Sequence, residues 1–245
     1  MHRFYSGNGD FRGDTITIKD PAEIHHLGHV LRLKKGDPVE LFNEKGEEAS
    51  GRITGLSGDR VLIRIDSRKR GHRGHAGTVI LACAVPKKSK FESIIEKCTE
   101  LGIDQVLPMV TDRTEVKFPP EKVLQKQERY HTVAVNAAKQ SQRSNVPTVF
   151  PPTRFQDILG QIDEGDLALI CATGGSRKKI PDALHLRKDP KRIFILIGPE
   201  GDFTPDELRE AKKAGCVAVA LGEHVLKVDT AAIVAVSLIL LLKSK

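Results

Sequence analysis

The first 66 residues alternate apolar and polar positions in short runs separated by glycine and aspartate. The segments DTITI, PVELFN, EASGRITGL and RVLIRID repeat with a period of two, which predicts β-strands. One interruption, PAEIHHLGHVLRL, places Ile24, Leu27 and then Val30 or Leu31 at near-helical spacing. The pattern therefore predicts a small β-barrel or sandwich that contains one helix.

This pattern breaks at the segment SRKRGHRGHAG, residues 67–77. The segment combines four Arg or Lys and two His with three Gly, and it has no apolar anchor. Such a composition is typical of a solvated basic linker. We accordingly predict a first domain over residues 1–70, a linker over residues 71–77 and a second domain over residues 78–245.

From Thr78 onward, continuous apolar runs alternate with segments of helical periodicity. The runs predict buried strands: TVILACAV, DQVLPMV, TVF, DLALICA, RIFILIG and CVAVALG. After the first run, apolar residues recur at helical spacing: Phe91, Ile94, Ile95, Cys98 and Leu101. Ser89 and Glu92 have the spacing of a capping box for this helix.

Three more helices are predicted in this half of the chain. A long one covers about residues 120–143, a second opens at TPDE, residues 204–207, and closes at Gly215, and a third covers residues 229–243. Buried strands that alternate with helices are typical of a parallel sheet. We therefore predict an α/β fold for the second domain.

Composition adds a partner class and a compartment. The 39 Lys and Arg exceed the 32 Asp and Glu, and the net charge of +7 favours an anionic partner, with nucleic acid the first candidate. The four cysteines lie in apolar runs without a C-x-x-C pair, which is typical of reduced core residues in a cytosolic protein. The N-terminus has no apolar signal region, and the run from Ala231 to Leu242 is too short to cross a bilayer. We expect a cytoplasmic protein.

Three glycine-bearing loops follow three late strands: ATGGS at 172–176, GPEGD at 198–202 and LGEHVLK at 221–227. Ligands of open parallel sheets bind beyond the carboxyl ends of the strands, and glycine lets backbone amides approach a ligand closely. The usual nucleotide signatures are missing, because no G-x-x-x-x-G-K-[ST] occurs and LACAVPKKSK has no glycine after the first strand. The sequence thus predicts a small-molecule pocket that lies late in the chain.

The order of these late loops carries a resemblance to a known family. IGPEG followed by LGEHVLKVDTA resembles the SPOUT, or α/β-knot, methyltransferases, and within them the bacterial 16S ribosomal RNA uridine N3-methyltransferases. Other matching segments are MHRF, HHLGHVLRLKKGD, IIEKCTELGIDQVLP and AAKQSQRSNVP, so the resemblance extends along the whole chain.

The resemblance implies a PUA-like β-barrel that grips RNA, followed by a parallel-sheet domain with a trefoil knot, in a homodimer packed through the knot helices. The methyl donor would be S-adenosylmethionine, and the substrate would be a uridine near the decoding site of 16S rRNA in the 30S subunit. The cofactor-binding residues implied by the family's motif are Ala172, Thr173, Gly174, Gly198, Glu200, Gly201, Leu221, Gly222, Val225 and Leu226.

Methyl transfer to uracil N3 requires few side chains, because positioning supplies much of the acceleration. The N3 proton must leave, so either a base helps or the uridine anion is stabilised. Lys227 is a candidate for stabilising that charge or for binding a phosphate, and Asp229 either receives the proton or caps the last helix. Glu200 is a second candidate for receiving the proton or orienting the base, and Arg143 is a further catalytic candidate.

RNA contacts are expected from basic and polar residues outside the loops. His25, His26 and Arg32 cluster on the first helix, and Gln140 and Arg143 lie on one face of the long helix. Arg143 also matches the family's Q-x-x-R-x-x-V-P segment. The generic phosphate contacts are Arg68, Arg70 and Lys87. The alternative role for the histidines is local packing, and the alternative for the basic residues is plain solvation. Because the sequence has no H-E-x-x-H pattern, no metal is expected.

The chain departs from the family's pattern at the cofactor loops. Asp202 stands where the family often has glycine, and Lys227-Val228-Asp229 stands where it has Arg-Thr-Glu. Two other functions stay open: a non-catalytic RNA-binding assembly factor with this fold, and a SPOUT methyltransferase that acts on another RNA.

Overall fold

A computed structural model describes residues 1–7, 9, 11–71, 75, 77–87 and 90–243, with the side chain of Arg70 outside the description. The chain divides into two compact units. The first comprises residues 1–73 together with 138–146, and the second comprises residues 74–137 together with 147–245. Residues 138–146 of the first unit lie inside the region predicted as the second domain. The chain therefore passes from one unit to the other more than once.

The first unit is a five-stranded sheet in the order β1-β3-β4-β5-β2, in which β1 and β3 are parallel and the other pairs antiparallel. Its strands are β1 His2–Tyr5, β2 Thr15–Ile18, β3 Pro38–Phe42, β4 Glu47–Leu56 and β5 Val61–Arg70. Helix α1, Pro21–His25, continues into a π-helical turn, His26–Val30. One core lies beneath the sheet, with Phe4, Leu27 and Val39 fully buried. Strand β1 lies within a stretch without clear alternation, and the sequence prediction missed it.

Strand β5 extends four residues beyond the predicted alternation, which ends at residue 66. Residues 67–70 continue β5 and pair with β4, with Arg68 opposite Ala49 and Lys69 opposite Glu48 in the ladder. Four consecutive polar residues show no apolar alternation, but a ten-residue partner strand with oppositely charged residues across the ladder holds them as a strand. Of the predicted linker, only residues 71, 75 and 77 lie among the described residues, and Ser89 of the expected capping box lies outside them.

Within the first unit, the segment 138–146 packs against the strands and helix of residues 1–73 through polar contacts. The Lys139 ammonium lies 2.6 Å from a carboxylate oxygen of the buried Glu23. The Arg3 guanidinium donates to the Arg143 carbonyl at 2.7 Å. These contacts hold Lys139 and Arg143 within the first unit.

The second unit is an eight-stranded sheet in the order β11-β13-β10-β12-β6-β7-β8, with β9 paired to β7, and every pairing is parallel. Its strands are β6 Thr78–Ala84, β7 Gln105–Val110, β8 Thr148–Val149, β9 Thr153–Arg154, β10 Leu167–Cys171, β11 Lys178–Lys179, β12 Arg192–Ile197 and β13 Val217–Ala220. Its helices are α2 Lys90–Leu101, α3 Pro120–Gln140, α4 Phe155–Leu159, α5 Ile180–Leu184, α6 Pro205–Lys213 and α7 Val228–Lys243. The predicted α/β fold with a parallel sheet is confirmed.

Local signals explain where the helices of this unit begin and end. Thr204 caps α6, and the capping box with Glu207 is complete, as the sequence predicted. Helix α3 ends at Gln140, so the prediction that it reaches Arg143 was wrong. Gln142 adopts a φ of 57°, a left-handed conformation that ends the helix and that the segment SQRSN, which has no glycine, does not announce.

The four cysteines are free thiols: Cys83, Cys98 and Cys216 are buried and Cys171 is half-buried. Among the helices in the described part of the chain, none combines the length and the apolar character needed to cross a membrane.

Candidate active site

The sheet order places the three glycine-bearing loops side by side. Strands β13, β10 and β12 are consecutive neighbours and parallel, so the loops that leave their carboxyl ends emerge at one edge of the sheet. These loops enclose a cavity of about 440 Å³. That volume lies in the range of about 300–1,000 Å³ that small-molecule sites occupy.

Most of the predicted cofactor residues line this cavity. From the first loop these are Ala172 and Thr173, from the second Gly198 and Glu200, and from the third Leu221, Gly222, Val225 and Leu226. Gly174 and Gly201 belong to the same loops but are not among the lining residues. The catalytic candidates Lys227 and Asp229 also line the cavity, whereas Arg143 belongs to the first unit and does not.

Sequence reasoning missed several lining residues. These are Pro86 and Lys90 after β6, Arg177 at the end of the first loop, and Glu223 and His224 in the third. The Arg177 guanidinium donates to the Ala172 carbonyl at 3.1 Å and so closes the first loop on itself. Glu223 and His224 lie within the glycine-bearing LGEHVLK loop. The polar residues of that loop were the signal in the sequence that could have identified them as lining residues.

Hydrogen bonds hold the second loop, residues 198–202, on several sides. The Arg113 guanidinium donates to the Gly201 carbonyl at 2.6 Å, and the Lys87 amide donates to the Glu200 carboxylate at 3.3 Å. The Asp202 carboxylate accepts from the Thr173 amide at 3.0 Å, which joins the second loop to the first. Beneath the loop, the buried Glu207 carboxylate accepts from the Asp112 amide at 3.0 Å.

Asp229 has an unusual environment for a carboxylate. Helix α7 begins at Val228, so Asp229 lies in its first turn rather than at the capping position that was its alternative reading. Its Oδ2 lies 3.8 Å from the Lys90 ammonium, while its Oδ1 is buried and has no hydrogen-bond partner among the described residues. A buried polar atom without a partner is costly unless a ligand supplies one. Asp229 lines the cavity, and its carboxylate combines one oxygen near a cation with one buried oxygen that lacks a partner among the described residues.

Cys171 lines the cavity but is not a nucleophile. Burial raises the pKa of its thiol to about 12. Because only the thiolate is strongly nucleophilic, the thiol stays protonated and inert at neutral pH.

The residues of the first unit that were predicted to contact RNA differ in their surroundings. The Arg68 guanidinium donates to the carbonyls of Phe11 and Gly13, at 2.6 and 2.8 Å, so it braces the β2 entry loop rather than facing solvent freely. His26 packs edge-on against Phe4, with ring centroids 6.2 Å apart, which is the local-packing alternative. His25 and Arg32 are exposed, and the His25 ring stacks on His29.

Three other predicted RNA contacts are Gln140, Arg143 and Lys87. Gln140 is exposed at the end of α3, and the half-buried Arg143 donates to the Asn145 side chain at 3.2 Å. Because α3 ends before Arg143, the expected helical stripe does not include it. The Lys87 ammonium pairs with Glu115 at 2.7 Å. Among the residues that the structure describes, no group of three or more His, Cys, Asp or Glu is arranged to hold a metal ion.

Comparison with known proteins identifies the family. The family model described as an RNA methyltransferase domain matches residues 74–240, and the model described as an RNA methyltransferase PUA domain matches residues 18–66. The first match covers more than half of the chain. The chain belongs to this RNA methyltransferase family. The strand-rich first unit is accordingly a PUA-like domain, and the cavity lies in the methyltransferase domain.

Named relatives agree with this membership. Ribosomal RNA small subunit methyltransferase E of Synechocystis is 33% identical over 91% of this chain and 72% of the relative, and that of Bacillus subtilis is 31% identical over 89% and 86%. The crystal structure of the Neisseria gonorrhoeae protein of that name, bound to S-adenosylmethionine, matches with a TM-score of 0.88 at 26% identity, over 99% of this chain and 98% of that one. A Legionella pneumophila methyltransferase with the same bound cofactor matches with a TM-score of 0.85 at 29% identity, over 96% and 95%.

Proposed function

We propose that this RNA methyltransferase transfers a methyl group from S-adenosylmethionine to N3 of a uridine in 16S ribosomal RNA of the small ribosomal subunit, in the cytoplasm. The observation that carries the proposal is the cavity formed by the loops after β10, β12 and β13. Relatives with the same fold are named for the small-subunit RNA, and two related structures hold S-adenosylmethionine.

The cavity suits this cofactor in size and charge. It contains the carboxylates of Glu200, Asp202, Glu223 and Asp229 against the cations of Lys90, Arg177 and Lys227. The excess of negative charge favours a sulfonium, which is a cation. Gly198 and Asp229 both line the cavity, and a Cβ at Gly198 would meet the Phe203 ring at 3.0 Å, so glycine keeps the second loop in place. When bound, the cofactor supplies an electrophilic methyl group.

The side chains have two tasks in this reaction, namely to orient the uracil and to manage its N3 proton. Asp229 lines the cavity and its carboxylate is able to accept from an N–H donor, so Asp229 receives the N3 proton or holds the base by that hydrogen. Lys227, which lines the same cavity, stabilises the negative charge that develops on the uracil. A catalytic role for Glu200 or Arg143 stays a prediction.

Exposed cations beside the cavity support an RNA substrate. Lys178 and Lys179 form the edge strand β11, paired with the end of β13, and Arg177 before them lines the cavity. Phosphate contacts of this kind position an RNA without reading its sequence. In the PUA-like domain, His25, Arg32 and Gln140 are exposed and remain RNA-contact proposals, as does Arg143, whereas Arg68 and His26 have structural partners.

The test is transfer of labelled methyl from S-adenosylmethionine to small ribosomal subunits that lack the modification. We expect incorporation into 16S RNA, N3-methyluridine on nucleoside mass spectrometry, and cofactor binding by calorimetry. Methylation at another nucleotide or in another RNA would identify a different target. Cofactor binding without any transfer would favour an assembly factor, and absence of both would refute the proposal.

We also propose that the protein is a homodimer packed through α7. One face of this helix is in the core, with Ala232, Val236 and Ile239 fully buried. The other face exposes Leu238, Leu241 and Leu242 at helical neighbour spacing, an apolar patch that a monomer leaves in water. The trefoil knot, which the family resemblance implies in this region, stays a prediction.

Substitution of Leu241 by Glu is expected to convert the dimer to a monomer, because a charge would be buried without a partner in the interface. Analytical ultracentrifugation measures the mass. Leu124→Glu is the matched control, because Leu124 and Leu241 are both 71% exposed but Leu124 lies on α3. A wild-type protein that sediments at the monomer mass at micromolar concentration would contradict the proposal.

A further inference from the structure

Asp202 adopts a backbone conformation that most residues avoid. Its φ is 60°, in the left-handed region. The other described non-glycine residues with positive φ are Arg32, Gln142 and Asp189, and none of them lines the cavity. Glycine adopts this conformation without strain, so an aspartate here indicates that the side chain has a use that outweighs the strain.

The use is visible in the contacts of the two carboxylate oxygens. Oδ1 accepts from the Phe203 amide at 2.8 Å, which fixes the turn of the second loop itself. Oδ2 accepts from both the amide and the hydroxyl of Thr173 in the first loop. Thr173 and Asp202 are 29 residues apart in sequence. One side chain thus ties together two of the three walls of the cavity.

Apart from the Arg177 bond to the Ala172 carbonyl, the first loop has few packed contacts beyond Thr173. A Cβ added to Gly174 or Gly175 would meet no atom within 4 Å, so both lie in open space, and Gly175 has a φ of 78°. Loops with few packed contacts sample many conformations unless hydrogen bonds restrain them. Hydrogen bonds to an ionised carboxylate are stronger than those between neutral groups, and this makes Asp202 an effective restraint.

We propose that Asp202 is a positioning residue for the methyl donor. Its carboxylate holds Thr173 so that the first and second loops are already arranged for the ligand before it binds, which lowers the ordering cost of binding. This inference rests on the proposed cofactor and deepens it, because it assigns a role in cofactor affinity to a residue that acts through its neighbour. The carboxylate is committed to three donors from the chain.

The test separates the backbone from the side chain. Asp202→Gly keeps the left-handed φ and removes the carboxylate, so the Kd for S-adenosylmethionine is expected to rise about tenfold, while kcat at saturating cofactor changes less than about threefold. Asp202→Asn keeps one acceptor oxygen and is expected to recover part of the affinity, with a Kd about threefold above wild type. Calorimetry and initial-rate kinetics measure these values, and thermal melting is expected to change little because the bond between Thr173 and Asp202 lies at the surface.

Thr173→Val removes the partner hydroxyl and completes a double-mutant cycle with Asp202→Gly. The two substitutions are expected to be less than additive, because each breaks the same contact. Additive effects, or an Asp202→Gly protein whose Kd stays within about twofold of wild type, would overturn the inference. If the wild-type protein itself does not bind S-adenosylmethionine, the proposed function fails instead, so the two failures are distinguishable.

Discussion

Substitution of Asp229 by Asn is expected to lower kcat for RNA methylation by about a hundredfold or more, which is within the usual contribution of a positioned acid or base. The physical reason is the Asp229 carboxylate, which belongs to a residue lining the cavity and whose buried Oδ1 has no partner among the described residues. An amide has almost the same shape as a carboxylate but cannot take up a proton, so the substitution removes the chemistry and keeps the packing. Single-turnover kinetics with saturating cofactor measures the effect.

The same variant distinguishes two roles for the carboxylate. If Oδ1 receives the N3 proton, kcat falls at saturating cofactor while the Kd for S-adenosylmethionine changes little. If Oδ1 instead binds a donor of the cofactor, that Kd rises and kcat recovers at high cofactor concentration. Lys90→Gln is the control, because it removes the cation 3.8 Å from Oδ2 and leaves Oδ1 as it is. If Asp229→Asn turns over within about threefold of wild type, Asp229 has no catalytic role and is only an acidic residue in the first turn of α7.

The sequence predicted where the cavity lies better than it predicted which residues line it. Strands that alternate with helices must be parallel, so their carboxyl ends meet at one edge, and this argument brought the loops around Gly198, Gly222 and Thr173 together correctly. It did not find Lys90, because the contact between α2 and the start of α7 that brings Lys90 to Asp229 depends on tertiary packing.

The errors have local physical causes. Residues 67–70 are all polar, so a periodicity argument sees no strand, although the long strand β4 supplies them with a partner. Helix α3 stops at Gln140 because Gln142 takes a left-handed conformation that no glycine or proline announces. Asp202 was noted only as a departure from the family's pattern, because the carboxylate's contact with Thr173 spans two loops that sequence alone does not place in register.

Gly198→Ala is expected to weaken S-adenosylmethionine binding about tenfold or more. A Cβ at this position would lie 3.0 Å from two ring carbons of Phe203, closer than nonbonded carbon atoms normally approach. Phe203 cannot easily yield, since it is buried and packs against Phe155 with ring centroids 5.4 Å apart. The added methyl must therefore displace the second loop toward the cavity, and overpacking of this kind costs about 1–3 kcal/mol. Calorimetric titration with the cofactor measures the change in Kd.

Gly165→Ala is the matched control in the same unit, because its added Cβ would meet only a Lys191 side-chain carbon at 3.7 Å, an ordinary contact. If the loss of affinity has a steric cause, a second substitution that makes room should reverse part of it. If the Phe203 ring is what pushes the loop, Phe203→Leu should restore part of the affinity in the Gly198→Ala background, although Phe203→Leu alone lowers stability by leaving a cavity. An unchanged Kd in Gly198→Ala would contradict the prediction, and no recovery in the double variant would show that the Phe203 ring is not the cause of the loss.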